Sequence, residues 1–261
     1  MSAWFVTSSG TGIGKTLVAC ALIRQLRRAG RDVCALKPVI TGFTGEAAAD
    51  SDTARLLAAL DRPFDQGNVE AVSPWRFKAP LSPHMAAARE DRALDVEEVA
   101  AFCRGADRPG QVLLVEGIGG VMVPLSERHT VADWMGLLGF PAILVVGSYL
   151  GALSHALSAA AVLQGRGIRL AGMVVAESED SPVPLADTVD TRIAVGDYGF
   201  TTRHEFRDII ERGHVDVVQP SSVRSGGMSE ILYIAEMAYQ RGLLCIPHAW
   251  CHVIGLAAEI H

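Results

Sequence analysis

The stretch Thr7-Ser8-Ser9-Gly10-Thr11-Gly12-Ile13-Gly14-Lys15-Thr16 constrains the fold more tightly than any other in the chain. A glycine-rich loop ending in Gly-Lys-Thr works only between a strand and a helix, where backbone N–H groups and the helix N-terminus converge on one anion. The apolar run Ala3–Val6 supplies the strand, and Lys15–Ala29 carries the spacing of an amphipathic helix. Gly10, Thr11, Gly12, Ile13 and Gly14 form the expected phosphate cradle; Lys15 would neutralise phosphate charge, and the Thr16 hydroxyl would hold Mg²⁺. Ser9 stands where the strict motif has its first glycine. The competing reading is a strand–helix turn that binds nothing.

The same rhythm continues downstream. Short apolar runs at Asp32–Leu36, Val112–Val115, Ala142–Val146 and Leu170–Val174 alternate with helical patterns at Asp52–Ala59, Val96–Arg104 and Ser154–Arg166. Ser82-Pro83-His84 reads as a further helix start, with proline in the first turn. This alternation predicts an α/β protein with a doubly wound, mostly parallel sheet. Around Ser178–Pro184 the sequence turns rich in Ser, Asp and Pro, and strand–helix units resume at Arg192–Val195, Val215–Gln219 and Leu243–Ile246. The expected organisation is a phosphate-binding domain over residues 1–188 and a short βα-repeat appendage over residues 189–261.

Composition narrows the setting. Of the 261 residues, 49% are apolar and 20% charged, which is ample for a core and unlike a disordered chain. A net charge of −6 without a basic run argues against nucleic acid or an anionic membrane as partner. The most apolar region, Phe140–Leu163, is broken by Gly147, Ser148, Gly151, Ser154 and His155, so it reads as a buried strand and a helix rather than a membrane span. Five scattered cysteines and an N-terminus without a basic segment predict a cytoplasmic, reducing setting.

Three further pieces follow predicted strands. Glu116-Gly117-Ile118-Gly119-Gly120 ends the strand Val112–Val115, where ligands sit in doubly wound sheets. Glu116 is a candidate Mg²⁺ carboxylate, and Gly119 permits close backbone approach to a nucleotide. Lys37, just past Asp32–Leu36, is a candidate second cation beside the phosphates, with Thr41 near enough to bind substrate. Asp52 is a candidate second Mg²⁺ carboxylate, although by itself it would be no more than a helix cap.

Taken together, these pieces resemble dethiobiotin synthetases. The likeness runs through Phe5-Val6-Thr7, Thr11–Thr16, Leu36-Lys37-Pro38-Val39, Thr41-Gly42, Ser51-Asp52 and Ser82-Pro83-His84. It continues through Glu116–Leu125, Val145-Val146-Gly147, Leu150-Gly151 and Ser154-His155-Ala156-Leu157, spanning about residues 3–188. The resemblance implies a P-loop NTPase-type fold and an ATP- and Mg²⁺-dependent ring-closing carboxylation of 7,8-diaminononanoate with CO₂ to dethiobiotin, in biotin biosynthesis. It implies Lys15 and Lys37 as catalytic cations, Thr16, Asp52 and Glu116 as Mg²⁺ ligands, and Thr11, Lys37 and Thr41 as substrate contacts. It further implies a homodimer, with Leu150 and Gly151 contacting substrate across the interface. The asparagine expected to read adenine is absent, and Ala176 or Glu177 stands there. A P-loop switch or partitioning ATPase is the alternative class; such loops usually open with a lysine, and Thr7-Ser8-Ser9 has none.

The tail, residues 192–261, resembles a barrel fragment of the mandelate racemase branch of the enolase superfamily. The likeness rests on Arg192–Asp197, His204-Glu205-Phe206, Asp216–Pro220, Gly226–Glu230 and Ile246–Trp250. By that resemblance Asp197 stands for one metal ligand and His248 for a base, but Ser221 occupies the place of the aspartate that would orient it. The expectation is a non-catalytic segment; an inactive fusion is the remaining alternative. Cys245, His248, Cys251 and His252 also admit a zinc reading, which a strand passing into a helix would scatter.

Overall fold

The computed structural model describes residues 3–45, 48–178, 194–196, 202–212, 215, 217–221 and 225–245. Asp197, His248, Cys251 and His252, the boundary near Thr188 and the linker beyond Ser178 lie outside the described residues. The chain divides into two compact units, Met1–Thr188 and Val189–His261.

In the first unit the elements run β1 (Ala3–Ser8), α1 (Lys15–Arg28), β2 (Asp32–Leu36), β3 (Val39–Ile40), α2 (Asp52–Ala59), α3 (Gln66–Val72) and β4 (Trp75–Arg76). They continue with α4 (Pro83–Ala88), α5 (Val96–Gly105), β5 (Gln111–Glu116), α6 (Val131–Leu138), β6 (Ala142–Gly147), α7 (Ala152–Gly165) and β7 (Leu170–Ala176). The main sheet has five strands in the order β2-β5-β1-β6-β7, all neighbours parallel. Parallel strands are buried on both faces, which is why their sequences are continuous apolar runs.

Alternation then divides each strand between two helical layers. Phe5, Leu113 and Val115 face the core shared with α5 and α6, whereas Val112 and Leu114 face the layer of α1, α2 and α3. Phe5 meets Trp134 of α6 edge to face, with ring centroids 4.8 Å apart, in the first of these cores. The connection from β1 crosses β5 toward β2 and that from β5 crosses β1 toward β6, in opposite directions, so the carboxyl ends of β1 and β5 flank the switch point where doubly wound sheets bind ligands.

In the second unit β8 (Ala194–Gly196), α8 (Arg203–Arg212), β9 (Val217–Gln219), α9 (Met228–Gln240) and β10 (Leu244–Cys245) build a three-stranded parallel sheet in the order β10-β9-β8. Phe206, Val218, Ile234 and Ala238 form its own small core.

Several boundaries differ from the sequence reading. The helix expected from Ser154 begins at Ala152, because Gly151 takes a left-handed φ of 94° and caps it. The last strand of the main sheet continues past Val174 to Ala176, carrying the chain end toward the phosphate loop. The reading did not contain β3, β4, α3 or α6.

Candidate active site

The loop after β1 turns into α1 at Gly14, whose left-handed φ of 95° is open to glycine at little cost. Among the described residues no side chain caps α1, so the N–H groups at its first turn are left to the cleft of about 780 Å³ that the loop lines, as donors for an anion. Thr11, Gly12, Ile13, Gly14, Lys15 and Thr16 all line that cleft, joined from other elements by Lys37, Thr41, Asp52 and Gly119. Gly120 backs the loop: a Cβ there would come within 3.2 Å of the Gly10 nitrogen and the Ser9 backbone.

Lys37 is the buried centre of the arrangement, 2% exposed. Its backbone N–H donates to the Val72 carbonyl at 3.0 Å, which fixes the residue at the end of β2. Its Nζ donates to Glu116 Oε1 at 2.6 Å, to the Gly117 carbonyl at 2.9 Å and to Asp52 Oδ2 at 3.0 Å. The Thr16 hydroxyl donates to the same Glu116 Oε1 at 2.7 Å. Burial alone would push the Lys37 ammonium down, but the charges of Glu116 and Asp52 outweigh it and raise its pKa. Burial likewise opposes the Asp52 carboxylate, yet Lys37 and the Thr16 hydroxyl hold it below the ordinary carboxyl range.

Lys15 is set differently. Its Nζ donates to Ser8 Oγ at 3.1 Å and to the Gly10 carbonyl at 3.2 Å, so it lies back along its own loop. Burial and the positive charge of Lys37 lower its pKa to about 8, against the opposing pull of Glu116 and Asp52. Two ammonium groups therefore face two carboxylates, a charge balance that an arriving polyphosphate would upset.

The donor set suits a hard divalent cation. Thr16, Glu116 and Asp52 offer only oxygen, and Glu116 Oε2 is buried with no hydrogen-bond partner among the described residues. An orphaned buried carboxylate oxygen is costly unless something else engages it. The sequence expectations for Lys15, Thr16, Lys37, Thr41, Asp52, Glu116 and Gly119 thus converge on one cleft, and Gly10 contributes its carbonyl to Lys15.

Leu150 and Gly151 do not belong to that cleft; Leu150 is 80% exposed at the start of α7. Residues absent from the sequence reading of the cleft are Leu17, Ile40, Arg55, Tyr149 and Ser178. Arg55 was within reach, because it lies on α2 one turn beyond Asp52 and so shares its face. Tyr149 and Ser178 gave no comparable signal, since neither loop shows where it folds. In the second unit Ser221 is buried, and burial pushes the Cys245 thiol up to about 11.

A phosphate loop between β1 and α1 of a parallel sheet, with carboxylates at neighbouring strand ends, defines a P-loop nucleoside-triphosphate-binding protein. A model of the AAA domain family matches residues 2–221. The ATP-dependent dethiobiotin synthetase BioD of Methylobacterium nodulans is 47% identical over 200 residues, covering 74% of this chain and 88% of that protein. The same enzyme of Acidiphilium cryptum is 45% identical over 193 residues, with 72% and 85% covered. Among solved structures, the BceF tyrosine kinase domain aligns with 68% of this chain and 69% of its own at 16% identity and a TM-score of 0.43. The chain belongs to the dethiobiotin synthetase family.

Proposed function

We propose that this chain closes a cyclic urea, forming dethiobiotin from 7,8-diaminononanoate and CO₂ at the expense of ATP. The observation that carries this reading is Lys37, a buried ammonium held by Glu116 and Asp52 beside the phosphate loop. A switch or partitioning ATPase usually takes its second cation from the start of the loop, where this chain has Thr7-Ser8-Ser9; here the second cation is Lys37, at the end of β2, which suits a reaction in which charge moves between two oxyanions. Relatives named ATP-dependent dethiobiotin synthetases support the same substrate class.

The chemistry divides into three steps. One substrate amine adds to CO₂ and loses a proton, giving a carbamate. A carbamate oxygen attacks the γ-phosphorus, and ADP leaves. The second amine then attacks the carbon of the mixed anhydride and loses a proton as phosphate leaves, and the five-membered ring is closed. Through these steps the loop N–H groups and Lys15 hold the transferring phosphate, while Lys37 faces the carbamate oxygen as its charge passes to phosphorus. Thr11 and Thr41 offer hydroxyls to the diamine from the cleft wall. Mg²⁺, when bound, would neutralise β- and γ-phosphate charge, with Thr16, Asp52 and Glu116 as its protein ligands.

The active form in this reading is a homodimer in the cytoplasm. Leu153 and Leu157 on α7 and Leu150 in the turn before it are exposed, and Cys20, Cys34, Cys103 and Cys245 are free thiols. No helix among the described residues is long and apolar enough to cross a membrane. Residues 189–261 form a separate, non-catalytic domain akin to a barrel fragment, a reading supported by Ser221 at the position of the expected aspartate.

The test is dethiobiotin formation from diaminononanoate, bicarbonate, ATP and Mg²⁺. Wild type is expected to form product in step with phosphate release, and Lys15→Ala to lose about a hundredfold or more of that rate. Phosphate release unaffected by Lys15→Ala, or independent of the diamine, would overturn the assignment.

A further inference from the structure

A buried ammonium must be hydrogen-bonded or paired, and Lys15 meets that demand in an unusual way. It is 6% exposed, yet among the described residues both nearby carboxylates pair with Lys37 and neither with Lys15. Its acceptors are Ser8 Oγ at 3.1 Å and the Gly10 carbonyl at 3.2 Å. Ser8 is the last residue of β1 and fully buried. Its hydroxyl proton is shared between the carbonyls of Gly10 and Gly119, while its lone pairs face Lys15 Nζ and, at 3.4 Å, the Gly10 N–H. The Ser8 carbonyl accepts from Val121 N–H at 3.2 Å, so this one residue joins the phosphate loop to the loop after β5.

We propose that Ser8 is a positioning residue that competes with a nucleoside triphosphate for the Lys15 ammonium, and so weakens the hold of the loop on its nucleotide. This inference rests on the proposed nucleotide site. The lysine of such a loop reaches the β- and γ-phosphates. To do so its nitrogen must leave Ser8, which breaks a charge-assisted bond, stronger than a neutral one. Ser8 keeps its own donation to Gly10 and Gly119 in either arrangement, so the exchange concerns Lys15 and not the shape of the loop. Capture of a triphosphate therefore costs one exchanged bond, and the Ser8 hydroxyl sets that cost. A nucleoside monophosphate makes no such demand, because its one phosphate sits in the backbone cradle short of the lysine. The same competition favours departure of ADP, since Ser8 takes Lys15 back.

Binding of a non-hydrolysable ATP analogue with Mg²⁺ to the full chain tests the role. Ser8→Ala is expected to tighten the analogue by about threefold or more, a fraction of one charge-assisted bond. Ser8→Cys keeps a side chain of similar shape around a weak acceptor, and is expected to tighten it too. AMP affinity should move by less than about twofold in both variants, and in a Lys15→Ala background Ser8→Ala should move the analogue by no more than that. Where Lys15→Ala holds the analogue too weakly to measure, the AMP comparison decides. An analogue affinity unchanged or weakened in the Ser8 variants overturns Ser8 as the competitor. So does tightening that extends to AMP or survives in Lys15→Ala, because the hydroxyl would then act on the loop rather than on the lysine. Failure of wild type to bind the analogue overturns the proposed function, and this role with it.

Discussion

Lys37 and Glu116 each keep the other's charge tolerable, for both are almost completely buried and their nearest atoms are 2.6 Å apart. Removing one partner of such a pair leaves the other unpaired in a dry place, which costs about 3 kcal/mol or more. Lys37→Ala should therefore lose both stability and activity, and activity alone would not identify the lysine's role. Comparing the double variant Lys37→Ala/Glu116→Gln with Glu116→Gln alone separates the effects, since a neutral amide no longer needs the ammonium and the lost Mg²⁺ ligand is common to both. We expect the double variant to recover most of the unfolding free energy in urea while its ring closure stays at least about a hundredfold below that of Glu116→Gln. Recovery of turnover together with stability would make Lys37 a structural counter-ion only. The place of Lys37 beside the phosphate loop was legible in its position after an apolar strand; its burial was not. Burial follows from Val72, Glu116 and Asp52, which are far away in sequence and meet it only through the fold.

At the scale of elements, the strands and the helices that carry the phosphate loop and Asp52 were readable because local spacing decides them. Helix α6 was not, although it buries Trp134 against Phe5. Gly136 interrupts its apolar pattern, and its start signal is a variant one. The Thr130 N–H and hydroxyl both donate to Asp133 Oδ2 at 2.7 Å, an aspartate where the usual capping box has Glu or Gln. Asp133 also pairs with Arg166 at the end of α7. Partial burial works against its ionised form, but the Thr130 and Arg166 hydrogen bonds prevail and lower its pKa below 3.8. A carboxylate with a depressed folded pKa stabilises fully above its unfolded pKa and loses that contribution as pH falls through the folded value. Asp133→Ala should thus cost about 1 kcal/mol at neutral pH. Its deficit relative to wild type should shrink as pH drops below the ordinary carboxyl range. Urea unfolding midpoints across that range would check both parts; a deficit independent of pH would mean that packing, not charge, is what Asp133 contributes.

For the whole molecule, the proposed homodimer would add residues of a second chain to the cleft that the described residues form. The sequence likeness assigns Leu150 and Gly151 to the substrate, yet neither lines the cleft formed by their own chain. Leu153 and Leu157, one turn apart on α7, are 49% and 70% exposed, and Leu150, in the turn before the helix, is 80% exposed. Neighbouring exposed leucines are better explained by a partner surface than by solvent. A two-fold axis would set them against their copies and bring Leu150 and Gly151 toward the opposite cleft, which reconciles both observations. The pattern was visible in the sequence only as apolar residues on a helix, because periodicity does not distinguish a face turned to the core from one turned to another chain. Leu157→Glu should then convert a dimer into a monomer in sedimentation, since symmetry would bury the new charge twice. Nucleotide affinity should change by less than about threefold, because the phosphate loop lies within one chain, while ring closure should fall about tenfold or more for want of the opposite Leu150 and Gly151. A Leu157→Glu protein that sediments like wild type and retains its turnover would remove the interface from this face of α7.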